Sequence, residues 1–310
     1  MAIESAVTHT DPMAPDRKLP PEAASPERSH RSALRKAGWY VLLSALSLVV
    51  LFPLYMTIVR AISNPSKALL TGGAHLTPID AEWDSFTRAF NEGNLGRPLL
   101  WSLAVTLVIV GGQLLTSLFA AYAFAFLDFP FKRVLFGVVV ATLLLPIEVT
   151  LVTNVETFQD WGWIQPNQNG GQAFGALTLP FLATAIGIFL IRQGFLSVPR
   201  DLRDAAALDG YGHLRFLWRV AIPVSRPIIA SFVLISFLGA YNQYVWPSAS
   251  VRTQMYNTIQ LTLRAVTGQR LDQLNIPFAA AIVASIPVLV LLIAFQRHLV
   301  RGLTAGAVKG

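Results

Sequence analysis

Long stretches without a single charge run through this chain. Residues 37–59, 98–127, 161–191, 227–251 and 273–296 contain no Asp, Glu, Lys or Arg, and 134–155 is interrupted only by Glu148. A helix needs about 20 predominantly apolar residues to cross the hydrocarbon core of a bilayer. The pattern therefore predicts an all-α integral membrane protein with six transmembrane helices, at roughly 38–60, 99–126, 134–155, 173–193, 224–246 and 277–297. Composition agrees, since only 13% of residues are charged and 54% are hydrophobic, whereas soluble domains carry about 25% charge.

The remaining charges orient the chain. The isoelectric point near 10.0 could indicate nucleic acid, but the basic residues are scattered between the apolar runs and form no stripe. Seventeen of the 24 Lys and Arg residues fall on the side that holds the N-terminus, and seven on the other. Cytoplasmic loops carry the excess of Lys and Arg, so both termini are expected in the cytoplasm. Cysteine is absent, which excludes disulfides, thiolate metal sites and cysteine nucleophiles. No His, Asp and Glu gather on one face, and His213 and His298 have no evident acid–base partner, so neither a catalytic nor a metal site is expected.

The organisation follows from these runs. Residues 1–36 are rich in Pro and charge and predict a disordered cytoplasmic tail. A cleaved signal peptide is not expected, because the apolar run begins late and is too long. Residues 37–300 form the transmembrane domain, with a cytoplasmic loop at about 194–222, and 301–310 form a cytoplasmic tail. Trp101, Trp161, Trp163, Tyr244 and Trp246 fall near predicted outer boundaries, where amphipathic rings anchor helices. Gly112, Thr116 and Ala120 give the second span a stripe of small residues suited to close helix packing. No convincing internal repeat is seen, whereas a duplicated secondary transporter normally shows paired broken helices, and six spans are few for one, which favours a multi-chain assembly.

The loop between spans four and five is the most informative segment. From Arg200 to Leu208 it is short, Ala-rich and helix-forming. Gly210 and Gly212 break that helix and allow a turn. Leu214, Leu217 and Trp218 then recur at helical spacing. Two short helices joined by a glycine turn, on a loop of about 30 residues, suggest docking against a partner rather than a minimal connection; a helix lying on lipid is the plainer alternative.

The order of residues in this loop is the second clue. The series Asp204, Ala205, Ala206, Asp209, Gly210, with Phe216 twelve and Pro223 nineteen residues after the acid, resembles the EAA loop of binding-protein-dependent ABC importers. That family usually opens the motif with Glu; Asp204 keeps the charge on a side chain one methylene shorter. Phe52-Pro53-Leu54-Tyr55 resembles the first helix of the family, and Ala121-Tyr122-Ala123-Phe124 with Phe129 and Lys132-Arg133 resembles the end of the second helix in permeases of the maltose type. Four further stretches, Leu144-Leu145-Pro146-Ile147-Glu148-Val149, Phe189-Leu190-Ile191-Arg192-Gln193, Tyr241 to Pro247 and Gln296 to Leu303, together resemble the second permease subunits of sn-glycerol-3-phosphate importers, the UgpE type.

The resemblance implies the type I ABC importer permease fold, with a coupling helix formed by Asp204, Ala205, Ala206, Asp209, Gly210 and Phe216 seated in a groove of an ATPase. It implies a heterodimer with a second permease subunit, two ATPase subunits, an external solute-binding protein and surrounding lipid, in the bacterial cytoplasmic membrane. ATP and Mg would sit on the partner ATPase; this chain has no Gly-rich phosphate loop and is expected to bind no cofactor. The implied solute is sn-glycerol-3-phosphate or a related glycerophosphodiester. A sugar importer of the same superfamily is the alternative, and an ion-coupled carrier a more distant one.

Candidates for the pathway come from polar residues inside or beside spans. Glu148 is the ionisable residue well inside a predicted span, and such residues usually face an interior or a cavity; it lines the pathway or pairs with a cation of the partner subunit, the alternative being a side chain that snorkels to the nearby outer interface. Pro146 ahead of it would free a carbonyl. Asn242 and Gln243, flanked by Tyr241 and Tyr244, are placed to hydrogen-bond a polyol and stack on its carbon face; the alternative is an interhelical hydrogen bond. Arg60 and Arg252 are candidates to attract a phosphate from outside; ordinary loop charge is the plainer account. The orientation is testable directly, because the chain has no cysteine of its own: Arg203→Cys is expected to resist a membrane-impermeant thiol reagent in intact cells and to react after permeabilisation. Ready labelling from outside would overturn the topology.

Overall fold

The computed structural model describes the backbone of residues 26–71, 75–267 and 273–307, and their side chains except at 26–35, 69, 147–148, 267 and 297–307. The described residues are helical, without β-strand. α1 (Pro26–Ile62) is followed by the short α2 (Pro65–Thr71) and α3 (Ser85–Asn91), then by α4 (Gly96–Phe126). α5 (Lys132–Ala141) and α6 (Ile147–Asp160) flank one break, and α7 (Gly170–Thr178) and α8 (Ala185–Leu196) flank another. α9 (Arg200–Leu208), α10 (His213–Phe216), a π-helical turn at Leu217–Ala221 and α11 (Ile222–Val224) lead into α12 (Arg226–Tyr241). α13 (Val245–Ser250), α14 (Ile259–Thr267) and α15 (Asn275–Ala307) complete the chain.

Lys36–Ile62, Gly96–Phe126 and Asn275–Gln296 are each long and apolar enough to cross a membrane alone. The other three spans are bent pairs: Lys132–Leu144 with Val149–Asp160, Gly170–Phe181 with Ala185–Leu196 at 49°, and His213–Val224 with Arg226–Tyr241 at 83°. Counting each pair as one crossing gives up to six spans, the number expected; in the fifth, α12 is the part that falls in the expected span, and His213–Val224 belongs to the loop before it. Several ends differ from the sequence reading. α1 already begins at Pro26, inside the segment expected to be a disordered tail; the tail before it lies outside the described residues. α15 runs to Ala307, beyond the expected boundary at 300. The fifth span stops at Tyr241 rather than 246, and a separate helix begins at Val245.

The chain divides into two compact units, Met1–Tyr55 and Met56–Gly310. In the second, α4 is the central element, packed against α7, α8, α12 and α14, while α12 also packs on α15. The stripe of small residues explains part of this. A Cβ on Gly112 would lie 2.7 Å from Leu182 Cδ2, so glycine lets the backbone after α7 come close. Thr116, one turn on, donates to the Leu182 carbonyl at 3.0 Å.

The bend in the fourth span has a chemical cause. Pro180 has no N–H, so the carbonyl four residues back, on Ala176, loses its helical partner. Trp246 supplies the missing donor: its Nε1 lies 2.9 Å from the Ala176 oxygen. Gln113 in the middle of α4 donates to the Phe181 carbonyl at 2.9 Å, and its own amide oxygen accepts from Ser236 of α12 at 2.6 Å. In the sixth span the Tyr241 hydroxyl donates to the Ala284 carbonyl at 2.8 Å, which ties α12 to α15. At its other end α7 starts with a capping box, in which Asn169 and Gln172 satisfy each other's backbone N–H.

These bonds correct the reading of Trp246 as an interface anchor. Its ring is 2% exposed and packs among Phe158 and Phe181. Trp101 packs on Phe174 and Tyr256, and Trp163 lies against Phe158 and Gly175. Trp161 and Tyr244 stay exposed. Trp246→Phe keeps most of the ring and removes the donor, leaving a carbonyl unpaired in an apolar bundle. The expected loss is about 1 kcal/mol, read as a lower melting temperature of the purified complex. An unchanged melting temperature would show that another donor replaces the indole.

Candidate functional site

The loop after α8 is built by a sequence of stops and starts. Pro199 cannot continue α8 and instead stands in extended backbone at the N-cap of α9. Asp201 sits in the first turn of α9, where a carboxylate suits the positive end of the helix. The helix then closes in a Schellman motif. The Tyr211 N–H donates to the Ala206 carbonyl at 2.9 Å, and the Gly210 N–H to the Ala207 carbonyl at 3.0 Å. Gly210 has φ +70°, a left-handed conformation that costs a residue with a Cβ about 1–2 kcal/mol. Gly212 is the N-cap of α10.

The loop residues separate by face. Ala206 and Phe216 are each 6% exposed and belong to one apolar cluster with Tyr122, Phe195, Leu217 and Phe232. Asp204, Ala205, Asp209 and Gly210 are exposed. On a helix of 3.6 residues per turn, Asp201, Asp204 and Leu208 lie opposite Ala206, and Leu208 is 90% exposed. The free face of α9 thus offers two carboxylates beside one apolar side chain. Asp204 stands in mid-helix and Asp209 at the C-cap. The buried residues of the second segment are Phe216, Leu217 and Ala221, while Leu214 and Trp218 are exposed.

Beneath the loop is a cavity of about 190 Å³ whose lining includes Tyr122, Phe126, Arg203, Tyr211, His213 and Phe216. Sequence reasoning found no partner for His213. Its Nδ1 lies 3.0 Å from the Tyr122 hydroxyl, a contact across 91 positions that no local pattern reveals. Arg203 donates to the Phe126 carbonyl at 3.3 Å, and Arg192 to the Phe124 carbonyl at 3.2 Å.

The pathway candidates are less concentrated. Glu148 falls in the first turn of α6, after Pro146 at the N-cap; its side chain lies outside the described residues. Asn242 is the C-cap of α12, donates to the Leu238 carbonyl at 2.9 Å and accepts from Gln260 at 3.2 Å. Gln243 lies beside Ser102, Thr106 and Thr258 at a small crevice of about 10 Å³. Tyr244 borders a recess of about 370 Å³ with Gln260, Leu263 and Arg264. Tyr241 does not flank Asn242 as an open stacking face: it is 3% exposed and stacks on Phe237 at 5.6 Å. The backbone N–H of Arg252 donates to the amide oxygen of Gln168, and Gln168 also ties the Trp163 and Ser250 carbonyls together. This buried clamp carried no recognisable signal in the sequence.

Comparison with known proteins places this geometry. Residues 113–305, which contain the loop and four of the spans, match the family model described as "Binding-protein-dependent transport system inner membrane component". The sn-glycerol-3-phosphate transport system permease protein UgpE of Yersinia pestis bv. Antiqua (strain Antiqua) is 32% identical over 269 residues, covering 83% of this chain and 91% of the relative. UgpE of Agrobacterium fabrum and of Brucella abortus (strain 2308) are each 32% identical, again over 83% of this chain and 91% of their own length. A solved bacterial ABC transporter "involved in the import of the acidic polysaccharide alginate" has a chain that superposes with a TM-score of 0.71 at 20% identity, covering 90% of this chain and 99% of that one, which shows the shared fold. The chain belongs to the family of binding-protein-dependent transport system inner membrane components, the permease subunits of ABC importers.

Proposed function

We propose that this chain forms one half of the membrane pathway for sn-glycerol-3-phosphate or a related glycerophosphodiester. The observation that carries the reading is the likeness to UgpE proteins along 83% of the chain, together with a rigid loop whose outer face is left free. In this reading the loop 200–224 faces the cytoplasm, as do both termini, and the face of Asp201, Asp204 and Leu208 enters a groove of an ATPase subunit. ATP and Mg are held there. A second permease subunit completes the pathway, and an external binding protein delivers the solute. Helix, turn and Schellman bonds make the loop a stiff body, which is what the transfer of a motion from a soluble engine to membrane helices requires. Glu148, Asn242, Gln243 and Tyr244 are the pathway candidates of this chain.

The reading is tested by uptake into proteoliposomes of the complex reconstituted with its partner subunits. Saturable uptake of sn-glycerol-3-phosphate that needs ATP and the binding protein is expected. Uptake of a sugar in its place would move the solute assignment, and uptake driven by an ion gradient without ATPase would overturn the class. Gly210→Val combined with Asp209→Ala is expected to abolish uptake by straining the turn, with the membrane domain still assembled. Normal uptake in that variant would sink the docking role of the loop. Glu148→Gln is expected to lower transport several-fold in a complex that still assembles; full transport would remove Glu148 from the pathway.

A further inference from the structure

The loop 200–224 is joined by the chain to α8 and α12, yet its side chains bond to α4. Three contacts meet there. The Arg203 guanidinium of α9 donates to the Phe126 carbonyl at 3.3 Å and sits 5.7 Å from the centre of the Phe126 ring. His213 at the start of α10 meets the Tyr122 hydroxyl at 3.0 Å. The Phe216 ring stands at 89° to Phe126, 5.3 Å away, and also touches Tyr122 at 6.4 Å. Tyr122 and Phe126 are four residues apart and share one face of α4. Both helices of the loop are thus pinned to a single helical turn.

The covalent connections are poor transmitters by comparison. Between α8 and α9 the helix is interrupted, with Pro199 in extended backbone at φ −57° and ψ 141°. Between α11 and α12 the chain turns by 83°. Both ends of the loop are therefore joints. α4, in contrast, runs unbroken for 31 residues, with Pro98 confined to its first turn, and spans about 45 Å. It packs on α7, α8, α12 and α14. A displacement of the loop that reaches α4 reaches most of the bundle.

We propose that α4 receives the movement of the coupling loop, through Tyr122, Arg203 and His213 as positioning residues, and that α8 and α12 follow it. The proposal rests on the reading of the loop as the part that docks on the ATPase. Tyr122→Phe removes one oxygen and leaves every ring contact, so it tests the hydrogen bond without disturbing the packing. In the reconstituted complex, Tyr122→Phe and His213→Leu are each expected to reduce the solute moved per ATP hydrolysed several-fold, with the ATPase still retained on the membrane. The double variant is expected to be no worse than either single one, because both remove the same bond. His213→Asn, which restores an acceptor near the position of Nδ1, is expected to recover much of the ratio.

A second measurement is independent of transport. Because the chain has no cysteine, spin labels can be placed by paired cysteines at Arg219 in the loop and Phe119 on α4, and at Arg219 and Ile235 on α12; all three positions are exposed. Between nucleotide-free and ATP-bound complexes, the loop-to-α4 distance is expected to stay fixed, while the loop-to-α12 distance shifts by the part of the movement that the 83° joint ahead of α12 takes up. A wild-type transport ratio in Tyr122→Phe, loss of ATPase retention in that variant, or a loop that slides along α4 would each overturn the proposal. Failure of the docking reading shows elsewhere, as normal uptake with Gly210→Val and Asp209→Ala.

Discussion

A carbonyl that loses its helical partner inside a membrane has no water to turn to, and much of the second unit is arranged around that constraint. Proline creates the orphan in the fourth span, and the indole of Trp246 reaches over to the Ala176 carbonyl. The turn that follows exposes the Phe181 and Leu182 carbonyls, and α4 answers with Gln113 and Thr116. Each of these bonds joins the fourth span to a neighbour, so the place where it bends is also the place where it is tied. A bend held in this way has a defined angle, whereas an unsupported one would leave a polar group in hydrocarbon.

The same accounting applies at the end of α4. The last four carbonyls of a helix have no internal partner, and the aligned peptide dipoles leave partial negative charge there. Leu127 closes the Ala123 carbonyl with its own N–H. Three cations from three elements gather on three of the carbonyls that follow: Arg192 of α8 donates to the Phe124 carbonyl, Arg203 of α9 to the Phe126 carbonyl, and Lys132 of α5 to the Leu127 carbonyl at 2.7 Å. Charge-assisted bonds are stronger than neutral ones. Arg192 also lies 4.1 Å from the centre of the Phe136 ring, which adds a cation–π contact across to α5. The Lys and Arg residues that orient the chain by their number are therefore, at these positions, also the caps of its central helix.

What the sequence made legible was set by range. The spans follow from uncharged runs, a property of consecutive residues, and the helix–turn–helix of the loop follows from Ala-rich spacing and two glycines. Pro146 and Pro199 mark real breaks, as a residue without an N–H must. The bonds that hold the bends were invisible, because Gln113 to Phe181, Trp246 to Ala176 and Tyr122 to His213 link positions 68, 70 and 91 apart. Trp246 illustrates the ambiguity: an aromatic ring near a span end suits a headgroup anchor and a buried donor equally well by composition, and only the neighbouring Pro180 decides between them. Tyr241 misled in the same way, since its proximity to Asn242 in sequence places the two on different sides of the helix end.

The uninterrupted course of α4 links the bend of the fourth span to the loop. Gln113, which holds the bend of the fourth span, and Tyr122, which holds the loop, lie on the same rod about 14 Å apart along its axis. A helix without an internal proline or loosened turn shifts or tilts as a unit, so a change at Tyr122 is carried to Gln113. There it acts on the Phe181 carbonyl and, through Ser236, on α12. The loop and the bend are thus coupled through one stiff element, and the polar side chains at its two stations decide which neighbours it moves. Apolar residues at those stations would pack as well but leave the neighbours free to slide.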